Sequence, residues 1–466
     1  MEGKLVTIYK PIKVWSRAMN AFLGSFLLSY NIGVFTSCQP SVSSALNWGE
    51  NSETYIAIMS SLVPLGALFG ALSSGLLSKS SGRRRSILIA DLITICASII
   101  TVIPYTYSFG LGRFLSGIAI GQFSVICPLY VNEIAPQHIT GRLGGLIQPF
   151  CCSGLIFAFG FALLLPTGDY SNDPRNNLWI FMFGFQGLVA FIQILLFLIF
   201  FKKETPSWLL SQNRKVEALE SLKELYLEEY TEDILESLQG KSSLLLNKSE
   251  SVIIYEYSYK DLLKCANGTS KAMRLGLMLS IVQQFSGINA ILSYATTLFG
   301  EFGSGVFISR VFTLANGFVN LSSTFCLLPL IDNLGRKWTL ICGTFTMGLC
   351  LLLMGIFYEF QVFYVIPFLV VQLYVACFGL SIGPICWIYS GEILTSKGMS
   401  ICAALNWFSA FLVILFFPFL AMAIGLSLTF WMFACVNVIG CVYFWIDMIE
   451  TKGMLKQDIQ KLFLSK

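Results

Sequence analysis

Charge is scarce in this chain. Asp, Glu, Lys and Arg make up only 12% of its 466 residues, against 55% that are hydrophobic. A soluble domain carries about twice that share of charge, so a water-soluble globule is excluded and a lipid bilayer becomes the solvent. Histidine is almost missing: His138 stands alone, in a polar loop, where it reads as solvated rather than as a proton carrier. None of the fourteen cysteines forms a C-x-x-C pair and most fall in apolar runs, which argues against a zinc site or a disulfide framework. Nucleophile–base pairs, metal clusters and phosphate-binding glycine loops are also missing, so neither enzymatic chemistry nor a cofactor is expected. A net charge of +4 calls for no nucleic-acid partner.

What is abundant is long apolar runs. A spanning helix needs roughly 20 mostly apolar residues, and such runs lie near 17–37, 54–77, 86–106, 111–131, 143–165, 178–200, 274–298, 306–331, 338–358, 362–390, 398–421 and 427–447. They are too long and too unalternating for barrel strands, and in hydrocarbon every backbone group must find its partner within the segment. The chain therefore reads as an all-α membrane protein of twelve transmembrane helices in two six-helix halves, 1–201 and 274–449. A polar linker at 202–273 separates them and a tail at 450–466 follows.

In the linker, Trp208, Leu209, Val216, Leu219, Leu222 and Leu225 recur at helical spacing, which predicts short amphipathic helices. Lys79 to Arg85, Arg142, Arg336, Lys337, Lys397, Lys452 and Lys456 share one side, while the opposite loops hold little beyond Arg175 and Arg310. That bias puts both termini and the linker in the cytoplasm. The first span follows Lys4, Lys10, Lys13 and Arg17 without a small-residue cleavage site, so it reads as retained. Asn247 and Asn267 match the glycosylation pattern but fall on the cytoplasmic side and should stay unmodified.

Two signatures recur in the same order. Gly82-Arg83-Arg84-Arg85 is echoed by Gly335-Arg336-Lys337, and Tyr130 with Glu133 by Tyr389 with Glu392. Repetition of this kind marks a duplicated bundle and a transporter. Small residues four apart (Gly66 and Gly70, Gly117 and Gly121, Gly141 and Gly145) predict close helix contacts, and Pro128, Pro149, Pro384 and Pro418 predict interrupted or bordered spans.

Polar side chains inside the spans are the candidate site. Gln283, Gln284 and Asn289 cover a broad face of the seventh span. Uncharged amides donate and accept at once, which suits the hydroxyls of a neutral sugar or polyol and equally suits bonds between helices. Gln148, Asn320, Trp387, Asn406 and Trp407 are further candidates, since aromatic faces pack on a sugar ring while amides take its hydroxyls. Arg113 opens the fourth span, where it either snorkels to the interface or is paired inside. Asp91 is expected to pair with the Arg83 to Arg85 cluster.

These residues and motifs resemble the sugar porter family of the major facilitator superfamily, and facilitative hexose transporters within it. The resemblance spans nearly the whole chain. It rests on Gly82-Arg83-Arg84, Gly112-Arg113-Phe114, Tyr130 to Pro136, Glu204-Thr-Pro206-x-Trp208-Leu209, Gln283 to Asn289, Gly335-Arg336-Lys337, Gly383-Pro384-x-x-Trp387, Asn406-Trp407 and Glu450-Thr-Lys452-Gly453. It implies the major facilitator fold and a central monosaccharide site lined by Gln148, Gln283, Gln284, Asn289, Asn320, Trp387, Asn406 and Trp407. It also implies an outer gate at Tyr294 and a cytoplasmic charge network of Arg84, Glu133, Glu204, Arg336 and Glu392 that joins the halves when the site faces outward.

Asn31 stands where proton-coupled members resemble this motif but carry aspartate, opposite the arginine matched by Arg113. An amide does not ionise, so uniport is favoured, with proton symport through another acid, Asp91 or Glu301, left open. The chain departs from the family pattern at Thr140, Ser293, Gly379 and Ile382. A sugar sensor on the same fold and an enzyme are the competing classes.

Overall fold

A computed structural model describes residues 8–168, 170, 173–246, 270–301, 303–394, 396–454, 459, 462 and 463. The sites at Asn247 and Asn267, the side chain of His138 and most of the tail lie outside the described residues. Each of the twelve apolar runs falls on helix, and no named strand occurs among the described residues.

The first half contains α1 (Pro11–Ala45), α2 (Ser52–Ser81), α3 (Arg83–Thr101), α4 (Thr106–Ile134), α5 (Gln137–Gly145), α6 (Ile147–Ala162) and α7 (Leu178–Ile199). Three short helices follow: α8 (Pro206–Ser211), α9 (Lys215–Leu225) and α10 (Thr231–Leu246). The second half begins with a span in three pieces, α11 (Ser270–Phe285), α12 (Ile288–Ser293) and α13 (Ala295–Glu301). Two spans then run end to end as α14 (Val306–Glu359), bent at Gly335. The last are α15 (Val365–Leu380), α16 (Ile382–Ile393), α17 (Ser396–Ile424) and α18 (Leu426–Asp447). The chain breaks at Ser381 just before Pro384, as the proline predicts.

Two separate apolar cores form, one from Tyr9 to Tyr226 and one from Ala272 to Phe463. A smaller cluster joins them, with Val63, Ala67, Ala71 and Ile120 against Trp407 and Ala410.

Helices α2 and α4 touch backbone to backbone. A Cβ on Gly117 would sit 2.3 Å from the Val63 carbonyl oxygen, and one on Gly66 would sit 2.2 Å from that of Phe114. The spacing also suggested Gly141 and Gly145, but nothing lies within 4 Å of either, so this pair makes no helix contact.

The linker helices dock on the first half. Arg17, buried on α1, pairs with Glu224; Lys10 N–H donates to the Leu225 carbonyl at 2.7 Å; the Trp208 indole donates to the Lys79 carbonyl at 2.9 Å. Trp208, Leu209, Leu222 and Leu225 are buried as an amphipathic helix requires, whereas Val216 is exposed.

Two charges depart from expectation. Arg310 is not a loop residue; it lies in the second turn of α14 and is 1% exposed. Asp91 does not pair with the Arg83 to Arg85 cluster. It is fully buried on α3, and neither carboxylate oxygen has a partner among the described residues.

Candidate functional site

The seventh span has to break to present its amides. Gly287 adopts φ 96°, ψ 0°, a left-handed conformation that only glycine takes cheaply, between α11 and α12. The carbonyl of Ser286, freed by the break, accepts from the Tyr374 hydroxyl at 2.9 Å and from the Asn437 amide at 3.1 Å. Neither residue was singled out in the sequence, because each acts on backbone rather than on a recognisable motif.

Around this break four amides form a directed relay. Asn289 donates to Gln284 Oε1. Gln284 Nε2 donates to Asn406 Oδ1 at 2.8 Å, and Asn406 Nδ2 to Gln283 Oε1 at 2.6 Å. Gln283 Nε2 ends on the Gly383 carbonyl at 2.7 Å, in the first turn of α16 just after the break at Ser381. Each link leaves amide donor or acceptor capacity unspent, so the row can still meet hydroxyls.

Among the described residues no hydrogen bond joins Gln148, Asn320 or Trp387 to the relay. Gln148 is half-buried on α6, its amide 3.9 Å from Cys152 Sγ. Asn320 is buried with Oδ1 unpartnered, packed close to Gly379, where a Cβ would lie 3.2 Å from that oxygen. Trp387 is exposed.

Asn289 and Trp407 also line a cavity of about 20 Å³ with Phe35, Thr36, Arg113 and Ser293. That volume holds about one water and no sugar ring. It is sealed at the end of the bundle remote from Gly82 and Gly335. Gln39 Nε2 donates to the Ser293 carbonyl at 3.1 Å across the halves, and the Tyr294 hydroxyl to the Ile414 carbonyl at 3.1 Å. Beyond Gln39 a depression of about 590 Å³ opens outward.

Arg113 does not snorkel. It is 2% exposed, its Nη1 donates to the Asn31 carbonyl at 2.9 Å, and its guanidinium lies 5.2 Å from the Phe35 ring centre. Asn31 is also buried, with Oδ1 unpartnered.

At the other end the repeat becomes a pair of matching clusters. Gly82 (φ 90°) and Gly335 (φ 80°) each turn the chain beside a glutamate. Glu204 accepts the N–H groups of Arg83 and Arg85 at 3.1 and 3.0 Å; Glu450 accepts those of Arg336 and Lys337 at 3.0 and 2.9 Å. Anions at helix N-termini are favoured in this way. Burial pushes the Glu204 carboxyl above its usual pKa, opposed by the backbone N–H bonds it accepts.

Arg83 then pairs with Glu133 at 2.8 Å and Arg336 with Glu392 at 3.0 Å. Thr205 and Thr451 hydroxyls donate to Glu133 and Glu392 at 2.5 and 2.6 Å. Arg83, not Arg84, is therefore the partner of Glu133. The Arg84 guanidinium instead donates to the Phe201 and Phe197 carbonyls at 2.7 and 2.9 Å, and so fastens α3 to the end of α7. Each ion pair lies inside one half, so in this state the clusters brace the halves individually. Glu450 was overlooked as the counterpart of Glu204, although the dipeptide Glu-Thr recurs at 204–205 and 450–451.

A family model described as "Sugar (and other) transporter" matches residues 18–463. The chain belongs to this sugar transporter family. Its members are membrane transporters rather than enzymes. The chain is 28% identical to the glucose transport protein of Synechocystis sp., over 93% of this chain and 94% of that protein. It is 30% identical to the major myo-inositol transporter IolT of Bacillus subtilis, over 94% and 92%. In three dimensions it resembles the proton:xylose symporter XylE of the major facilitator superfamily, with a TM-score of 0.80, 24% identity, and coverage of 98% of this chain and all of that one. The twin clusters and the amide relay thus occur in a chain of the sugar transporter family.

Proposed function

We propose that the protein carries a neutral monosaccharide, a hexose such as glucose, down its gradient by alternating access. The observation that carries this reading is the relay of Asn289, Gln284, Asn406 and Gln283, a row of polar groups with no ionisable member, within the second half and reaching at Asn289 the cavity shared with the first. Trp407 supplies an aromatic wall next to Asn289, and Gln148, Asn320 and Trp387 complete the site when sugar draws the halves around it. Tyr294 and the pair Asn31 and Arg113 belong to the outer gate. Arg83, Glu133, Glu204, Arg336, Glu392 and Glu450 form the cytoplasmic clusters. In this reading both termini face the cytoplasm, the membrane is the plasma membrane, and the structure is closed to the outside.

Uniport is supported by Asn31, whose backbone carbonyl accepts from Arg113 and whose side chain is an amide rather than an acid. In sealed vesicles, labelled hexose is expected to equilibrate equally with and without an imposed proton gradient. Accumulation driven by an inward proton gradient would show symport instead. One observation favours that second reading, the fully buried and unpartnered Asp91, and Asp91→Asn would then remove the accumulation.

Asn31→Asp is a complementary test. A carboxylate beside the Arg113 guanidinium titrates where the amide does not, so uptake is expected to become dependent on external pH. An unchanged pH profile with normal uptake removes position 31 from coupling.

A further inference from the structure

We propose that Arg310 is a positioning residue of the transport cycle, a latch that holds the outer ends of the two halves together and sets how often that end opens. Arg310 belongs to the second half, yet both of its bonds reach the first. Nη1 donates to the Leu165 carbonyl at 2.7 Å and Nη2 to the Pro166 carbonyl at 3.1 Å.

The placement makes sense only across the interface. Arg310 sits in the second turn of α14, and side chains lean toward a helix's N-terminus, so its guanidinium reaches back past the start of α14. Leu165 and Pro166 lie in the turn after α6, outside the helix, so their carbonyls have no helical partner. A planar guanidinium spans two such carbonyls at once, which a lysine ammonium does not do. The residue is 1% exposed, so these bonds are made away from water. Gln39, donating to Ser293, is the neighbouring tie across the same seal.

Opening this end parts Arg310 from α6. The bonds therefore stabilise the closed state alone, and a contact made in one state shifts the equilibrium by its full differential strength. The inference goes beyond the sugar reading, since it concerns the opening of the seal whatever the substrate.

The test is cysteine labelling of the purified full-length protein in lipid nanodiscs, which needs no sugar. Thr36→Cys lies in the sealed cavity, and its reaction with a polar maleimide reports opening against the parent protein's own thiol background. Adding Arg310→Met is expected to raise that rate about tenfold or more, given the strength of charged hydrogen bonds. Arg310→Lys, which keeps charge but not the two-pronged grip, should fall between. Tyr105→Cys, exposed at the same end in this state, should label equally in all backgrounds and so normalises for reagent and protein amount, while monodisperse elution of each nanodisc sample reports intact folding. A rate at position 36 within twofold of the Arg310 protein overturns the proposal. Where Arg310→Met yields no folded protein, Arg310→Gln is read by the same criterion.

Discussion

Vesicles carrying Gln284→Ala are expected to take up hexose at least roughly tenfold more slowly than the parent at low sugar concentration, with the same amount of protein in the membrane. Gln284 is the middle of the relay: it accepts from Asn289 and donates to Asn406. Removing it takes away an amide of the proposed sugar site and leaves buried Asn406 and half-buried Asn289 each short of a partner, at a cost of about 1–3 kcal/mol for the buried one. Because those neighbours lie in the same row, the loss should extend beyond one contact and be non-additive with Asn406→Ala. Counterflow of labelled sugar at several concentrations separates weaker binding from slower turnover. Parental affinity and rate in Gln284→Ala would remove this residue from the site.

Gly117→Leu should leave almost no folded protein. The hydrogen of Gly117 faces the Val63 carbonyl, where even a Cβ would lie at 2.3 Å, and Gly66 meets the backbone around Phe114 and Gly117 just as closely. Overpacking in a core usually costs about 1–3 kcal/mol because side chains can turn away. Here the obstacle is backbone on both sides, so α2 and α4 must separate along their length. Those helices also carry Val63, Ala67 and Ile120 to the seam with Trp407, so their separation would also disturb the joint between halves. The measurement is the yield of monodisperse protein after detergent extraction and its thermal unfolding. Gly184→Ala is the control, since nothing lies within 4 Å of a Cβ there, and it should match the parent. A Gly117→Leu protein as abundant and as heat-stable as the parent would show that α2 and α4 tolerate wider spacing.

The helices and the repeat were readable because hydrocarbon permits so few solutions: a run of about 20 apolar residues has to be a helix. The amide cluster was readable for the related reason that unpaired amides are costly there. Partnership was harder. Arg83 and Arg84 are chemically alike and adjacent, and only the direction each leaves α3 assigns one to Glu133 and the other to the end of α7. Asp91 is near the basic turn in sequence, but the helix carries its side chain into the protein. Arg310 is a cation beside a loop in sequence and a buried tie between halves in space.

By itself the sequence determined the solvent, the helical class, the duplicated motifs and the supply of uncharged polar groups, because composition and periodicity are local properties that hydrocarbon makes decisive. Only the tertiary structure decided the order of the relay, the closure above Asn289, the matching of Glu450 to Glu204 and the crossing of Arg310 to α6. Those depend on the azimuth of each side chain and on which helix ends meet, and neither is encoded in spacing along one segment.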